Sequence, residues 1–452
     1  MTQLFALHSA YGLATAAAAL DGGLLGERGE RLLVPFHSSR VPETSIGIVA
    51  DPALAGLRAR FDRAEDLDEL LGPRHPGSWA PEPDDLPLLR RLLTRAWGLD
   101  DDLEILLQSP QVAPARTLML VFPHARITII GDGLMTYSPM RIALPHTVTA
   151  RIGRVVHADV VPGVVPLVAS PHAEPVPVPP GLFGAVLREV ADAVGDTDGD
   201  GAVDRDDRST VLVLGQYLSA LGLVSESEEV ALQSAMIDRA ATRDPQRIVF
   251  KPHPSAPPRL TDALRDRAAF HEIAFHEYRG ALSAEMLAER LDAVAVIAGF
   301  STALPTVQTV FGREIDAVGA DTVLARLSPY ENSNRVPATI VDALTRRDSP
   351  HRDPARMQLL VDAVGYAMQP TVARHLRPRA EALLADLPAG ERERYFSAER
   401  LTELRLPGAP AERVVRRALR PAGGIGRVEE LRLTALGARR RLVRAWRAIR
   451  GR

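Results

Sequence analysis

Three stretches of the sequence place polar side chains directly after apolar runs. In "RITIIGDG" the run leads to Asp132, whose carboxylate can act as a general base. In "RIVFKPHP", Lys251 and His253 form a compact cationic pair suited to a phosphate group. In "AVAVIAGFST", Ser301 and Thr302 offer hydroxyl and backbone N–H groups at the start of a helix, where anions bind well. A base and a phosphate site together predict transfer of a group from a phosphate-bearing donor to an acceptor.

Each stretch also has a structural interpretation. An Asp-Gly pair commonly forms a turn after a strand, and Ser and Thr are common helix N-caps. The third run ends at Gly299, which we assign to the same phosphate site. A His-Pro pair can be an ordinary loop, as we expect for His75 and Pro76, because no strand precedes them. His253 differs because it follows a strand and has a proline on each side, which fixes its backbone. The joint occurrence of the three stretches favours a functional site.

Lys251 is the only lysine in a chain of 452 residues, in which lysine and arginine together number 54. A lysine ammonium is compact, whereas an arginine guanidinium is a larger planar fork. We interpret the lysine beside His253 as a supporting positive charge at the donor-phosphate end of the site.

Strand-like and helical patterns alternate along most of the chain. This alternation predicts parallel sheets with crossover helices, and ligands of such sheets bind at the carboxyl ends of the strands. We therefore predict an α/β fold of two doubly wound, Rossmann-like domains with a cleft between them. The apolar runs interpreted as strands in the first half are "QLFAL", "RLLVPF", "SIGIVA", "LEILL", "TLMLVF" and "RITII".

The domain boundaries follow from composition. Seven prolines in Pro162–Pro180 argue against a central strand or a helix interior, so we interpret this region as a linker. The predicted acceptor-side domain spans 1–160, and the linker with an acidic Asp/Gly loop spans 161–208. The donor-side domain spans 209–385, and a helical basic tail spans 386–452.

In their order and strand context, the three stretches resemble the motifs of bacterial sialyltransferases, and most closely those of the alpha-2,8-polysialyltransferase-like family. The family motifs are acidic-acidic-Gly, His-Pro and Ser-Ser/Thr, and the matching stretches are "GDG", "KPHP" and "FST". By this resemblance, Asp132 matches the base and His253 the general acid or phosphate partner. Ser301 and Thr302 match the phosphate binders. Gly131 stands where the family usually has its first acidic residue, so the acceptor and the exact sugar stay open.

The resemblance extends over most of the chain, to about Ala385, and implies a GT-B fold. It also implies inverting transfer of sialic acid, or a related nonulosonic acid, from a CMP-activated donor to a glycan hydroxyl. No cofactor is expected to be required, because CMP carries one phosphate that His253 and a helix N-terminus can bind without a divalent metal. Three rivals stay open: a CDP-polyol phosphotransferase of the teichoic-acid type, a UDP-binding sugar-nucleotide epimerase, and a catalytically inactive glycan-binding or membrane scaffold.

The segment "DTDGDGAVDRDD" matches the spacing of a calcium-binding loop, with carboxylates at positions 1, 3, 5, 9 and 12. The residues concerned are Asp196, Asp198, Asp200, Asp204 and Asp207. A strand pattern follows the loop where a second helix is usual, and the last position is Asp where Glu is usual. The alternatives are a structural calcium site and an acidic loop between the domains.

The C-terminal segment Pro407–Arg452 is strongly basic, with thirteen arginines and three glutamates, although the whole chain has a net charge of −3. Apolar residues, among them Trp446, recur at helical spacing with arginines on the other faces. Such a helix is typical of a membrane-surface anchor, and the alternatives are a solvated helix or one packed on the body. We expect an anionic membrane surface, and no nucleic acid, as its partner.

The remaining composition is that of a globular protein. The absence of cysteine excludes disulfides, thiolate metal sites and a cysteine nucleophile. The N-terminus lacks the basic region of a signal peptide, and no apolar run is long enough for a membrane-spanning helix. We expect a cytoplasmic protein, peripheral at the inner face of the cell membrane.

Overall fold

The structure is a computed structural model that describes residues 1–26, 29–38, 47–168, 171–194, 207–253, 256–257 and 259–410. Residues Met1–Gly408 form one compact unit, which contains two parallel β-sheets. Among the described residues, no helix is both long and apolar enough to cross a membrane.

The first sheet has seven parallel strands in the order β3-β2-β1-β4-β5-β6-β7. The strands are β1 (Thr2–Leu7), β2 (Glu30–Pro35), β3 (Arg63–Ala64), β4 (Leu103–Leu107), β5 (Arg126–Ile130), β6 (Ile152–Ala158) and β7 (Glu174–Val178). All residues of β1 and β4 are buried, because these central strands are covered by helices on both faces. The continuous apolar runs of the sequence therefore mark the middle of the sheet.

The helices associated with this sheet alternate with its strands. They are α1 (Ala10–Asp21), α2 (Ala55–Arg58), α3 (Leu67–Leu71), α4 (Leu86–Ala96), α5 (Ala115–Val121), α6 (His146–Thr149) and α7 (Pro180–Val194). The alanine-rich α1 is buried from Gly12 to Leu20, because its small side chains allow the helix to pack closely inside the domain. Ser9 caps its first turn.

The second sheet has five parallel strands in the order β10-β9-β8-β11-β12. The strands are β8 (Thr210–Leu214), β9 (Arg247–Lys251), β10 (Ala274–Glu277), β11 (Ala295–Ala298) and β12 (Glu314–Ala317). The helices that alternate with them are α8 (Glu226–Ala241), α9 (Arg259–Phe270), α10 (Ala284–Arg290), α11 (Ala303–Phe311) and α12 (Ala320–Arg326). The two parallel-sheet α/β domains confirm the prediction from the strand–helix alternation and have the architecture of the GT-B fold that the family resemblance implies.

Five further helices follow α12 in the described residues and belong to the same compact unit. They are α13 (Arg335–Thr345), α14 (Pro354–Met368), α15 (Arg377–Asp386), α16 (Ala389–Tyr395) and α17 (Ala398–Leu404). Buried Asp342 in α13 accepts hydrogen bonds from Arg394 and Tyr395 in α16. The expected tail boundary at residue 386 is therefore too early, because the compact unit continues to Gly408.

The expectation of a linker is wrong for Glu174–Val178, which forms the edge strand β7. Pro175 and Pro177 lie opposite Val155 and His157 of β6 in a parallel pairing. An edge strand needs donors on one side only, so alternate prolines are tolerated there although a central strand excludes them.

Two apolar runs interpreted as strands are not strands. The run "TLMLVF" falls mainly in α5, whose buried residues include Leu118, Met119 and Val121, and a short buried helix gives the same apolar pattern as a strand. In "SIGIVA", the described residues, 47–50, form a turn.

The two domains contact each other within the compact unit. Thr309 in α11 donates a hydrogen bond of 3.0 Å to the carbonyl of Val160, which follows β6. Ser138, after β5, donates one of 3.2 Å to the carbonyl of Ser333. These contacts hold the second domain beside the loops that follow β5 and β6.

Candidate active site

Asp132 follows β5 at the carboxyl edge of the first sheet and begins a short 3₁₀ turn, Gly133–Tyr137. Its backbone N–H donates to the Thr136 hydroxyl at 2.7 Å. Gly133 has a positive φ of 53°, which glycine adopts without strain. The turn therefore fixes the carboxylate at a strand end, where the sequence places it.

Ser9 donates a hydrogen bond from its hydroxyl to Oδ1 of Asp132 at 3.3 Å. The same hydroxyl oxygen accepts hydrogen bonds from Gly12 N at 3.0 Å and from Gln108 Nε2 at 2.9 Å. Both acceptor positions of the oxygen are thus occupied, so its single proton is directed at Asp132. The other carboxylate oxygen, Oδ2, has no hydrogen-bond partner among the described residues.

Gln108, directly after β4, holds Ser9 in this orientation. Its Oε1 accepts from His8 N at 2.9 Å and from Ser9 N at 3.2 Å, which leaves Nε2 pointing at the Ser9 hydroxyl. A Cβ at position 12 would lie 2.1 Å from Gln108 Nε2, so Gly12 makes room for the amide. Three neighbouring strands, β1, β4 and β5, therefore contribute side chains to one network.

Sequence reasoning missed Ser9 and Gln108. Each is a polar residue that directly follows a buried apolar run, which is the same signal that pointed to Asp132. Their relation to Asp132 depends on the adjacency of β1, β4 and β5 in the sheet, which one sequence does not reveal.

His8 lies beside this network. Its Nε2 is 3.0 Å from the Ser109 hydroxyl, and its ring packs on Phe36 with the centroids 5.3 Å apart. Burial lowers the pKa of His8, while the negative charge of Asp132 acts in the opposite direction. A neutral imidazole is therefore expected next to Asp132 at pH 7.

Gly131, the departure from the family motif, is required by packing. A Cβ at this position would lie 2.7 Å from Thr136 Oγ1 and 2.9 Å from His157 Cβ. His157 is buried at the end of β6, and burial lowers its pKa to about 4. An acidic side chain at position 131 therefore has no space in this arrangement.

A pocket of about 350 Å³ opens beside Asp132. Its walls are mostly apolar and include Val112, Ile129, Met135, Ile142 and Val168. Polar groups of Gln111, Ser138, Arg141 and Ser333 also line it. The pocket can thus hold an apolar or sugar-sized group with a polar atom near the carboxylate.

The second domain contributes the His-Pro stretch. His253 is exposed and follows β9 at the carboxyl edge of the second sheet. Lys251 is half-buried, with Nζ 5.0 Å from the centroid of the Tyr278 ring and 3.4 Å from the Gly280 carbonyl oxygen. The ammonium therefore lies against the loop that follows β10.

The third stretch connects β11 to α11. The Ser301 hydroxyl oxygen accepts from Ala303 N at 3.3 Å, and the Ser301 carbonyl accepts from Leu304 N. Pro305 has no backbone N–H group, so the first turn of α11 offers fewer hydrogen-bond donors to an anion than the sequence suggests. Among the described residues, the backbone N–H groups of Ser301 and Thr302 have no acceptor.

Gln216, after β8, connects this stretch to the neighbouring strand. Its Oε1 accepts from Phe300 N at 2.9 Å, and a Cβ at Gly299 would lie 2.2 Å from this oxygen. Because β8 lies between β9 and β11, His253, Gln216 and Ser301 follow three adjacent strands. Gly299 thus allows the close approach of a side chain that orders the loop before Ser301.

Tyr11 lies beside the Asp132 turn. The Cζ atom of its ring lies 3.7 Å from the position of a Cβ on Gly133, in the Asp132 turn. Burial strongly raises the pKa of Tyr11, and the charges of Glu285 in α10 and of Asp132 add to this effect. The second domain therefore approaches the Asp132 turn at Tyr11.

The calcium-loop prediction lies mostly outside the described residues, which include only Asp207 of the five carboxylates. Asp207 is exposed. In the described part of the chain, no group of three or more His, Asp or Glu side chains is placed to hold a metal ion.

A family model for alpha-2,8-polysialyltransferase (POLYST) matches residues 3–314, which is more than half of the 452 residues. The chain belongs to this family. The match begins in β1, ends in β12 and includes all three motif stretches of this polysialyltransferase-family protein. It confirms the sequence-based assignment to a sialyltransferase-like glycosyltransferase family.

Solved structures of other glycosyltransferases are similar to this chain at low identity. A sialyltransferase from Photobacterium damselae is 10% identical, covering 76% of this chain and 96% of its own, with a TM-score of 0.38. MurG from Acinetobacter baumannii is 10% identical, covering 83% and 97%, with a TM-score of 0.37. A UDP-glucosyltransferase from Polygonum tinctorium is 13% identical, covering 89% and 97%, with a TM-score of 0.38. No curated protein matches the chain significantly.

Proposed function

We propose that this glycosyltransferase moves sialic acid, or a related nonulosonic acid, from a CMP-activated donor to a glycan hydroxyl with inversion. The observation that carries the proposal is the orientation of Asp132, which receives one directed hydrogen bond on Oδ1 and lines a pocket through the same turn. An acceptor in that pocket can present its hydroxyl to the other oxygen, Oδ2.

In the proposed step, the acceptor oxygen attacks the anomeric carbon of the donor sugar. A new carbon–oxygen bond forms while the bond from that carbon to the phosphate oxygen of CMP breaks. The acceptor proton passes to Asp132, and the bonding electron pair leaves with the CMP phosphate. General-base assistance of this kind typically accelerates a reaction by about 10²–10⁴-fold.

The second domain is proposed to stabilise the departing phosphate. His253 would donate a hydrogen bond or a proton to it, and Lys251 would add positive charge. The N–H and hydroxyl groups of Ser301 and Thr302 would bind its oxygens, and Gly299 would keep their loop close to Gln216. Positive groups fixed in advance where negative charge develops are the main source of catalysis in such sites.

Two accessory roles are proposed for segments that lie mostly outside the described residues. The Asp196–Asp207 loop would hold a structural calcium ion, which titration calorimetry with calcium would test. The C-terminal tail would bind an anionic membrane surface at the inner face of the cell membrane, and vesicle binding of a chain lacking residues 421–452 would test it.

The function itself is tested by incubating the protein with CMP-sialic acid and a panel of glycan acceptors. We expect acceptor-dependent release of CMP and a glycosylated product. Asp132→Asn and His253→Ala should each lower the rate at least about a hundredfold. His75→Ala is the matched control, because His75 also precedes a proline but instead accepts a hydrogen bond from Gly77 N in a separate turn.

The choice of nucleotide separates this proposal from its rivals. CMP should raise the melting temperature more than CDP or UDP does. Stabilisation by CDP alone would favour polyol phosphate transfer, and stabilisation by UDP alone would favour an epimerase. CMP binding with no turnover on any acceptor would favour an inactive glycan-binding protein.

A further inference from the structure

Helix α4 carries apolar side chains on the face that packs on the first domain and also on part of its outer face. Leu86, Leu89 and Leu93 face the core of the first domain. Leu88 and Leu92, one turn apart, extend the arc outward and are 58% and 55% exposed. Two large apolar side chains on the same outer face are therefore left without a cover among the described residues.

Arginines flank these leucines. Positions 91 and 95 are three or four residues from Leu88 and Leu92, so Arg91 and Arg95 lie on the same outer face of the helix. Both are exposed, and neither has an ion-pair partner among the described residues. The outer face of α4 thus combines two leucines with the guanidinium groups of two arginines, and Arg90 lies at its side.

A broad groove of about 850 Å³ continues this face toward the amino edge of the sheet. Leu88, Leu92, Leu99 and Phe122 contribute its apolar surface, and the three arginines lie along it. Asp100 and Asp101 lie at its far end, and Asp100 is already 3.8 Å from the N-terminal amino group. Asp84 and Asp85 lie one turn before Leu88, so the positive charge is confined to the middle of the face, where Arg91 and Arg95 flank Leu92.

We propose that the outer face of α4 docks on an anionic phospholipid surface. Leucines on such a helix insert at the level of the headgroups, and arginines beside them bind lipid phosphates with their planar, forked donors. The long arginine stems let the charged ends stay at the interface while the helix lies flat on it. This surface belongs to the described body of the protein and is separate from the C-terminal tail.

The absence of cysteine permits a local test in the full chain. A Leu92→Cys variant would carry a polarity-sensitive fluorophore, and Leu221→Cys, at a site that is 62% exposed in the second domain, would be the matched control. With vesicles of phosphatidylcholine and phosphatidylglycerol, we expect a blue shift of the label at position 92 and quenching by brominated lipids. The label at position 221 should not change.

Two results would overturn the proposal. If the chain sediments with the vesicles while the label at position 92 stays in water, the tail alone binds the membrane. If the label shifts without vesicles as protein concentration rises, the face is an interface between copies of the chain.

Substitutions separate the hydrophobic contribution of the leucines from the electrostatic contribution of the arginines. Leu88→Ser/Leu92→Ser should weaken vesicle binding at least about tenfold, since burying a leucine is worth more than a tenfold change in affinity. Arg91→Glu should reduce the preference for anionic over neutral vesicles, while the tail keeps its own share of it. Arg347→Glu makes the same charge change at an exposed site in the second domain and should leave that preference intact. Equal effects of the two arginine variants would mean that only net charge matters, against a specific α4 surface.

Discussion

The Ser9 hydroxyl donates to the Asp132 carboxylate across 3.3 Å, although the two residues are 123 positions apart in the chain. Ser9 follows β1 and Asp132 follows β5, with β4 between them in the sheet. Gln108, which follows β4, fixes the direction of the donation. The proposed base is therefore positioned by the order of the strands as well as by its own turn.

Ser9→Ala should lower the transfer rate about tenfold, because a hydrogen bond to a charged group contributes about 1.5–3 kcal/mol and part of it is replaced by water. Without the donation the carboxylate can turn away from the acceptor, so kcat should fall while the KM for the donor stays nearly unchanged. Steady-state kinetics with CMP-sialic acid and a glycan acceptor measure both constants.

Ser9→Thr retains the hydroxyl and the helix cap, and it should restore kcat. A loss of kcat in Ser9→Ala that threonine does not restore would show that the Ser9 hydroxyl does not position Asp132 and that Ser9 supports only the start of α1.

Gly131→Ala should destabilise the protein by about 1–3 kcal/mol, the usual cost of overpacking. The added Cβ meets Thr136 Oγ1 at 2.7 Å and the backbone of His157 at 3.2 Å, and the backbone cannot rotate away. Urea unfolding of both variants measures the loss. Gly153→Ala is the matched control in β6, where a Cβ would have no atom within 4 Å. Equal stabilities of the two variants would contradict the packing explanation of this departure from the family motif.

The sequence predicts the two parallel-sheet domains because buried parallel strands are continuous apolar runs, as in β1, β4 and β8. It does not predict β7, because proline is excluded only from strands whose backbone N–H groups must form hydrogen bonds to a neighbouring strand on each side. It misplaces "TLMLVF", because a seven-residue buried helix and a strand are equally apolar.

For the site, the sequence locates Asp132, His253 and Ser301 at strand ends, which the structure confirms, while their catalytic roles stay predictions. The sequence does not identify the glutamines that orient the loops around these residues. Gln108 and Gln216 each place a side-chain oxygen on backbone N–H groups of a neighbouring loop. These contacts join residues about 100 and 84 positions apart, so only the strand order brings them together.

His157 should make stability depend on pH. Its pKa is about 4 in the folded protein and about 6.5 when exposed. Between these values the unfolded chain binds a proton that the folded protein does not, so stability falls as the pH drops below about 6.5. From pH 7 to pH 5 this residue alone should cost about 2 kcal/mol.

His157→Leu removes the titrating group, so the loss of stability between pH 7 and pH 5 should be about 2 kcal/mol smaller than in the unmodified protein. Urea unfolding at the two pH values gives this difference. Any loss of packing in the variant is the same at both pH values and therefore cancels. An unchanged loss in His157→Leu would mean that other buried histidines account for the pH dependence.

Lys251→Met should weaken CMP binding about tenfold or more and leave cytidine binding unchanged, because the proposed partner of the ammonium is the phosphate. Methionine keeps an unbranched apolar stem, so packing beside Tyr278 is largely retained. Calorimetric titration with CMP and with cytidine separates the phosphate contribution from the nucleoside contribution. Equal weakening of both ligands would show that Lys251 acts only by holding the loop at Gly280, where its Nζ lies 3.4 Å from the carbonyl oxygen. Lys251→Arg retains the charge on a larger group, and incomplete recovery of CMP affinity would show that the site requires a compact ammonium.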